Sequence, residues 1–250
     1  MPARSGKDVT VIERLVPKPF KNSYRQLRSS IKNRAFGSTK EQIFDEIYRQ
    51  QCWGSSPDGK LYSGSGTYDP SVDQYLQYVT GFIEQHGIRS IVEIGCGDFA
   101  IGRQYAARVD SYLGIDASSI VVRSNQEQFA TDKISFRHAD AASTDLAPAD
   151  LCIIRQVLQH LDNKSIAAIL RKVALHKYTL ITEHLPSAEF LVSPNMDKRS
   201  GPDIRIAFNS GVYLEQPPFN RHGEVVLTTP IAQPIRHPGE VLRTTLLSRI

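Results

Sequence analysis

Short apolar runs alternate with helical-period segments through the middle of this 250-residue chain. The runs are typical of strands buried on both faces, whereas the intervening segments repeat apolar residues every three or four positions, as helices do. Regular alternation with short connections predicts an α/β fold, a mostly parallel, doubly wound sheet with helices on both faces. The predicted strands are 90–94, 112–115, 134–138, 151–154 and 179–182, and the predicted helices are 101–109, 119–130 and 163–176.

Further elements are predicted on either side of this alternation. Residues 22–36 and 40–51 have helical spacing, and Asp69 is a suitable N-cap for a helix that ends at Gly87. Residues 53–68, rich in Gly and Ser, are interpreted either as a lid or as an ordinary surface loop. After residue 186 the pattern weakens, and the candidate strands there are 211–215, 224–229 and 241–247.

A glycine turn follows the first predicted strand and organises the rest of the chain. Gly95 and Gly97 lack a Cβ, so the turn can be tight and a ligand can approach the backbone. The spacing Gly95-x-Gly97-x-x-Ala100 fits the dinucleotide fingerprint, and Asp116 ends the next strand-like run roughly 20 residues on. A carboxylate at that place can accept hydrogen bonds from both hydroxyls of a ribose.

Four stretches, in this order and at this spacing, resemble the motifs of class I S-adenosylmethionine-dependent methyltransferases. They are 92–97, 114–118, 138–141 and 150–161, within residues 88–185. The resemblance implies a seven-stranded, Rossmann-like sheet closed by an antiparallel pair. It also implies S-adenosylmethionine as cofactor and S-adenosylhomocysteine as product. Phe99 departs from the family, since a third glycine is usual there, and this implies a differently built floor for the methionine pocket.

The same resemblance assigns the cofactor-binding residues. They are Glu93, Gly95, Cys96, Gly97, Asp98, Asp116, Ala117, Asp140, Ala141 and Arg155. Asp116 is expected to bond the ribose, Asp140 to accept from the adenine amino group, and Glu93 to order the amino group of the cofactor through the loop or a water. Capping a helix and closing a turn are the alternative roles of Asp116 and Asp140.

Polar residues after the fourth and fifth strands are the candidates for catalysis. They are Arg155, Gln156, His160 and His184. Either histidine can deprotonate a hydroxyl, because the ordinary pKa of the imidazole lies near neutrality. Packing of the loop is the alternative role of His160. Methyl transfer depends mainly on holding the two reactants in line, so the reaction does not require a base.

The upstream stretches Trp53-Gly54-Ser55 and Ser63-Gly64-Ser65-Gly66-Thr67 are similar to a bacterial subgroup associated with surface-glycan synthesis. Together with the polar residues after the strands, this resemblance implies O-methylation of a small polar molecule or of a sugar or glycan end. On this interpretation, residues 1–68 form a basic arm and a lid, and residues 69–250 form the S-adenosylmethionine-binding methyltransferase domain.

The composition is that of a soluble globular protein, with 40% hydrophobic and 22% charged residues. No run approaches the roughly 18 apolar residues that a spanning helix requires. Residues 1–10 lack an apolar signal core, so a cytoplasmic location is expected. The three cysteines, at positions 52, 96 and 152, lack metal-ligand spacing, and no metal is expected.

Positive charge is concentrated at the N-terminus, where residues 1–40 hold ten Lys or Arg and two acids. Two interpretations of the helix at 22–36, with Tyr24, Leu27 and Ile31 along one side, are open. It either contacts an anionic membrane surface or a phosphorylated substrate, or packs on the domain with its basic face in water. The second is the commoner arrangement of a basic helix.

Three other functions fit parts of the sequence. An NAD-dependent oxidoreductase shares the glycine pattern and Asp116, but the chain has no Tyr-x-x-x-Lys pair. A nucleic-acid methyltransferase is suggested by the basic arm and by Gln216-Pro217-Pro218-Phe219. Base-amino methyltransferases, however, carry such a motif after the fourth strand, where Arg155-Gln156-Val157-Leu158 stands here. A non-catalytic module that keeps the fold is the third alternative.

Overall fold

A seven-stranded sheet lies at the centre of the structure, a computed structural model that describes residues 16–17, 20–56 and 60–248. Its strands are β1 Ser90–Ile94, β2 Ser111–Asp116, β3 Ile134–His138, β4 Leu151–Arg155, β5 Tyr178–Leu185, β6 Glu224–Pro230 and β7 Val241–Ser248. The strand order is β3-β2-β1-β4-β5-β7-β6, in which β1 to β5 run parallel and β7 is antiparallel to both of its neighbours. The predicted mostly parallel sheet, closed by an antiparallel pair, is confirmed.

The helices cover both faces of the sheet. They are α1 Lys21–Asn33, α2 Lys40–Arg49, α3 Ser71–His86, α4 Arg103–Ala106, α5 Ser119–Phe129 and α6 Asn163–Val173. Successive residues of a strand point to opposite faces. Accordingly, Val92 and Ile154 pack into a core cluster with α6, while Ile91 and Ile153 pack into a second cluster with α3. No helix within the described ranges is long and apolar enough to cross a membrane.

Two predicted elements differ in the structure. The helix expected over 101–109 is limited to the four residues of α4, and turns surround it. Residues 211–215 do not form the expected strand, because the Asn195 side chain binds the backbone N–H and C=O of Tyr213 (2.8 Å each). Those backbone groups are therefore not available for pairing with a neighbouring strand.

Helix α2, which precedes the Gly/Ser-rich segment, is anchored at the start of α5. Thr39 and Gln42 form a capping box that begins α2. On its inner side Asp45 is buried and accepts hydrogen bonds from the hydroxyls of Ser118 and Ser119, each at 2.7 Å. These contacts place α2 and the Gly/Ser-rich segment after it beside the carboxyl ends of the strands, where ligands of such sheets bind.

Two buried charged side chains, Glu183 and Arg205, fix the loop that follows β4. Glu183 on β5 accepts hydrogen bonds from the backbone N–H groups of Leu158 (2.8 Å) and Gln159 (3.0 Å). Arg205, fully buried, donates to the carbonyl of Leu158 (3.0 Å) and to the Asn163 side chain (2.6 Å). Burial raises the pKa of Glu183 to about 7, although these backbone donors and the charge of Arg205 lower it. The loop is thus held from both sides.

Replacing Arg205 with Met is expected to destabilise the protein by about 3–5 kcal/mol, because it leaves the buried acceptors Leu158 and Asn163 without their donor and removes the positive charge near Glu183. Urea unfolding followed by circular dichroism measures this change. The matched control is Arg171→Met on α6, where the side chain is exposed, with an expected change within about 0.5 kcal/mol. Equal unfolding midpoints for the two variants would contradict a structural role for the Arg205 contacts.

Candidate active site

The glycine turn after β1 requires residues without side chains. Gly95 and Gly97 have left-handed φ values of 72° and 54°. A Cβ would lie 2.3 Å from Val157 at Gly95 and 2.5 Å from the hydroxyl of Ser63 at Gly97. The turn is fixed from below by Asn125 on α5, which donates to the carbonyl of Gly97 (2.7 Å). Close packing on both sides of the turn explains why glycine stands at both positions.

Phe99 does not alter the floor of the cleft in the way the sequence suggested. It adopts a left-handed φ of 61°, which is uncommon for a residue with a side chain. Its ring is buried and packs against Tyr112, Phe129 and Phe136, with ring centroids 4.9–5.4 Å apart. The side chain is therefore part of the core and does not line the cleft.

One cleft contains all the residues expected to bind the cofactor. It lies over the carboxyl ends of β1, β2 and β4, and its lining includes Glu93, Gly95, Cys96, Gly97, Asp98, Asp116, Ala117, Asp140, Ala141 and Arg155. Four carboxylates, contributed by the glycine turn and the ends of β2 and β3, therefore share one wall. The structure brings all ten residues to one cleft, and their binding of the cofactor stays a prediction.

Asp116 is held in place by the backbone. Its carboxylate accepts hydrogen bonds from the N–H of Gly97 (3.1 Å) and from the N–H of Ser118 (2.9 Å). Burial raises its pKa, and the backbone donors oppose that shift. Each carboxylate oxygen can accept more than one hydrogen bond, so Asp116 keeps acceptor capacity for a ligand.

Glu93 lies beneath the turn and is buried among hydroxyls. It accepts a hydrogen bond from the hydroxyl of Tyr112, and the hydroxyl of Tyr105 lies nearby. Burial raises the pKa of Glu93 to about 7, and these two hydroxyls lower it. The buried carboxyl group thus has a partner in Tyr112, and it also borders the cleft.

The Gly/Ser-rich segment lies directly over the glycine turn. The N–H of Ser63 donates to the Asp98 carboxylate (3.0 Å), and the N–H of Asp98 donates to the Ser63 hydroxyl (2.7 Å). Tyr48 on α2 adds a hydroxyl contact to Ser63 at 3.0 Å. Farther along, the Arg155 guanidinium donates to the carbonyl of Gly66 (2.8 Å). Sequence reasoning singled out the stretch that begins with Ser63 but did not predict the hydrogen bonds of Ser63 with Asp98 and Tyr48.

Gln156 and His160, two further catalytic candidates, also line the cleft, together with Trp53. The ring centroids of His160 and Trp53 are 5.0 Å apart, and the imidazole Nδ1 of His160 lies 3.3 Å from the carbonyl oxygen of Gly201. Burial lowers the pKa of His160 to about 3, with a further lowering by Lys198. The imidazole is therefore neutral near pH 7.

His184, the other histidine candidate, does not reach the cleft. It is buried within β5, and its Nε2 lies 2.9 Å from the carboxylate of Glu240. Glu240 in turn accepts hydrogen bonds from the backbone of residues 235–237. The fifth strand was expected to end at residue 182, but β5 continues to Leu185 and includes His184. The side chains of a strand alternate between its two faces, so a position near the end of β5 does not by itself point into the site. This placement gives His184 a structural contact in place of the expected catalytic one.

Residues 91–176 match a family model described as a methyltransferase domain. Among curated proteins, uncharacterized methyltransferases of Mycobacterium tuberculosis (strain ATCC 25618 / H37Rv) and Mycobacterium bovis (strain ATCC BAA-935 / AF2122/97) are each 28% identical over 83 residues. The match covers 32% of this chain and 42% of each relative. The chain thus spans less than half of the length of these relatives.

Two solved structures are similar over most of the chain. Magnesium protoporphyrin IX methyltransferase (ChlM) from Synechocystis PCC 6803, solved with bound S-adenosylmethionine, has a TM-score of 0.52 at 16% identity and covers 86% of this chain and 99% of its own. The N-methyltransferase NodS from Bradyrhizobium japonicum WM9 has a TM-score of 0.51 at 12% identity and covers 72% and 98%. At these identities the likeness concerns the fold. Residues 91–176 are thus similar to a methyltransferase domain, and the chain shares the fold of these two solved methyltransferases.

Proposed function

We propose that the cleft binds S-adenosylmethionine and that the chain transfers its methyl group to an acceptor. The acidic wall of the cleft carries this proposal. The ribose hydroxyls, the adenine amino group and the ammonium group of the cofactor are all hydrogen-bond donors, and carboxylates are acceptors that match them. When bound, S-adenosylmethionine supplies an electrophilic methyl group on a positively charged sulfur, a charge that the same carboxylates favour.

The position of each acid suggests its role. Asp116, at the end of β2, bonds the ribose, and Asp140, after β3, accepts from the adenine amino group. Gly95 and Gly97 bring bare backbone close to the methionine part, with Glu93 beneath them and Asp98 beside them. These roles rest on the place of each residue at or after the end of its strand and on the match of residues 91–176 to a methyltransferase domain.

The geometry gives less support to a nicotinamide dinucleotide. In folds that bind such a cofactor, its diphosphate lies at the N-terminus of the helix after the glycine turn. Here α4 has only four residues, and the N–H of Asp98 already donates to Ser63. The neighbouring carboxylates would also repel a diphosphate.

A nucleic-acid methyltransferase is also less well supported. The Pro-Pro-Phe stretch that suggested it ends in Phe219, which is buried in the core away from the cleft.

Asp116→Ala is expected to weaken the binding of S-adenosylhomocysteine by about 1.5–3 kcal/mol, the range for hydrogen bonds to a charged group. Isothermal titration calorimetry of the folded variant measures the loss. Asp110→Ala is the matched control, because Asp110 is exposed at the opposite end of the same strand and pairs with Arg89. Unchanged affinity of Asp116→Ala would remove the ribose assignment.

We further propose that residues 53–68 act as a lid over the occupied cleft. The segment contacts the glycine turn through Ser63 and the end of β4 through Gly66. A ligand in the cleft would therefore contact both this segment and the strand ends beneath it. Gly54 and Gly64 have φ values of 106° and 107°, which let the backbone bend at both ends.

Saturation with S-adenosylhomocysteine should slow amide hydrogen exchange within residues 53–68, because the bound molecule restrains the lid. Mass spectrometry of peptic fragments measures this protection. Strands β6 and β7, which lie at the far edge of the sheet, serve as the internal reference. If the lid and this reference respond equally, the lid assignment fails.

For the acceptor, we propose a hydroxyl group of a small polar molecule, with a sugar or glycan end as the leading case. Besides the acids, the cleft lining offers an amide, an imidazole, an indole and hydroxyl groups. It also includes Lys40, which pairs with Asp162, and Arg155, which donates to the carbonyl of Gly66. Aromatic rings such as Trp53 next to hydrogen-bonding groups suit the mixed polar and apolar faces of a sugar.

His160 is the base that this chemistry would use. An alcohol becomes strongly acidic as its oxygen is alkylated, so even a weakly basic, neutral imidazole can take the proton. With Nδ1 next to the carbonyl of Gly201, the other ring nitrogen carries the lone pair for this step. The loop that holds His160 is itself fixed by Glu183 and Arg205, which keeps the ring in one place.

His160→Ala should lower kcat by about 10²-fold or more on the true acceptor, with the affinity for S-adenosylhomocysteine unchanged. Turnover at saturating cofactor, measured beside calorimetry of cofactor binding, separates the two effects. The exposed His222 provides the control, and His222→Ala should turn over like the wild type. Wild-type turnover by the His160 variant would leave positioning alone to account for the reaction.

A further inference from the structure

Helix α1 packs on the protein through its polar face. The Ser29 hydroxyl donates to Asp203 (2.8 Å), and the Gln26 side chain donates to the carbonyl of Asp197 (3.1 Å). Asn33, fully buried, fits against Gly201, where an added Cβ would lie 2.4 Å from the amide of Asn33. Surface helices of globular proteins usually pack through an apolar stripe. This helix is oriented the other way round.

The apolar stripe of the helix consequently faces solvent. Phe20, Leu27 and Ile31 are 63%, 62% and 59% exposed, and their spacing of seven and four residues places them on one side. Tyr24 lies between them on the same side at helical spacing, and it is half-buried. Exposed large apolar residues that occur singly are normal, but a continuous stripe is typical of an interaction surface.

Cations surround this stripe, which we call the α1 stripe (Phe20, Tyr24, Leu27 and Ile31). The basic residues of the helix and of the turn after it are Lys21, Arg25, Arg28, Lys32 and Arg34. Arg28 and Arg34 are exposed, Lys21 and Arg25 are half-buried, and Lys32 lies 3.9 Å from Asp203. Residues 20–36 contain no Asp or Glu. The hydrogen bonds of Ser29 and Gln26 and the packing of Asn33 fix the rotation of the helix, so the stripe is presented outward together with Arg28 and Arg34.

We propose that the α1 stripe docks the protein on an anionic lipid membrane, with the helix lying in the plane of the interface. Apolar side chains on one side of a helix, flanked by Lys and Arg, enter the headgroup region while the cations attract acidic lipids. A second copy of the chain fits less well, because antiparallel stripes would bring the two sets of cations together. A nucleic acid would attract the cations but would give the apolar residues no partner.

Vesicle co-sedimentation of the full chain tests the proposal. The wild type should bind vesicles of phosphatidylcholine mixed with phosphatidylserine and should not bind vesicles of phosphatidylcholine alone. Leu27→Ser together with Ile31→Ser should lower the affinity for the mixed vesicles about ten-fold or more, because the inserted apolar area is lost. Arg28→Gln together with Arg34→Gln should lower it by a similar factor, because each lost cation weakens attraction to the acidic lipids.

Matched pairs of substitutions elsewhere on the surface control for general effects. Leu175→Ser with Ile235→Ser removes equally exposed apolar residues, which are 72% and 61% exposed in the wild type. Arg123→Gln with Arg171→Gln removes two exposed cations from α5 and α6. Both control pairs should bind the mixed vesicles like the wild type. Circular dichroism confirms that every variant is folded.

Three outcomes would overturn the proposal. One is a wild-type protein that binds neither kind of vesicle. Another is binding that depends on the Arg28 and Arg34 cations but not on Leu27 and Ile31, which indicates general attraction to polyanions. The last is a stable dimer, seen by sedimentation velocity without lipid, that the Leu27 and Ile31 substitutions dissociate, which assigns the stripe to a second copy.

Discussion

The close approach of other groups to the bare backbone of Gly95 and Gly97 is the constraint on which the site depends. Val157 from the loop after β4 and Ser63 from the N-terminal segment each lie where a side chain on the turn would otherwise be. The turn thus joins three parts of the chain that are distant in sequence. Any side chain there would displace both layers of the cleft, and the acidic wall would lose its alignment.

Buried carboxyl groups hold the two sides of the site. Glu93 accepts from the Tyr112 hydroxyl beneath the glycine turn, and Glu183 accepts from backbone N–H groups of the loop after β4. Burial raises the pKa of each to about 7, above the ordinary value of 4.5. Because the folded state then holds these protons more tightly than the unfolded state, their contribution to stability is complete below about pH 4.5 and is lost as the pH rises through 7. The site is built at some cost to stability near neutral pH.

The sequence predicted the parts of this protein that depend on local pattern. Apolar runs located the strands, because their signal is short and periodic. The glycine spacing with Asp116 led to residues that the structure brings together in one cleft, and their roles stay a prediction. Contacts between distant segments left no such signal. The buried contacts of Arg205, the contact of His184 with Glu240 and the exposure of the apolar side of α1 all depend on which neighbour a side chain meets. An Arg in an irregular segment and a polar residue within a buried strand were the only hints.

Calorimetric titration of the wild-type chain with S-adenosylmethionine and, separately, with NAD⁺ tests the central claim most directly. The claim is that the acidic wall at the glycine turn accepts a donor-rich, positively charged nucleoside and rejects a diphosphate. The account predicts saturable one-to-one binding of S-adenosylmethionine and no heat of binding with NAD⁺. Saturable binding of NAD⁺, with none for S-adenosylmethionine, would contradict it.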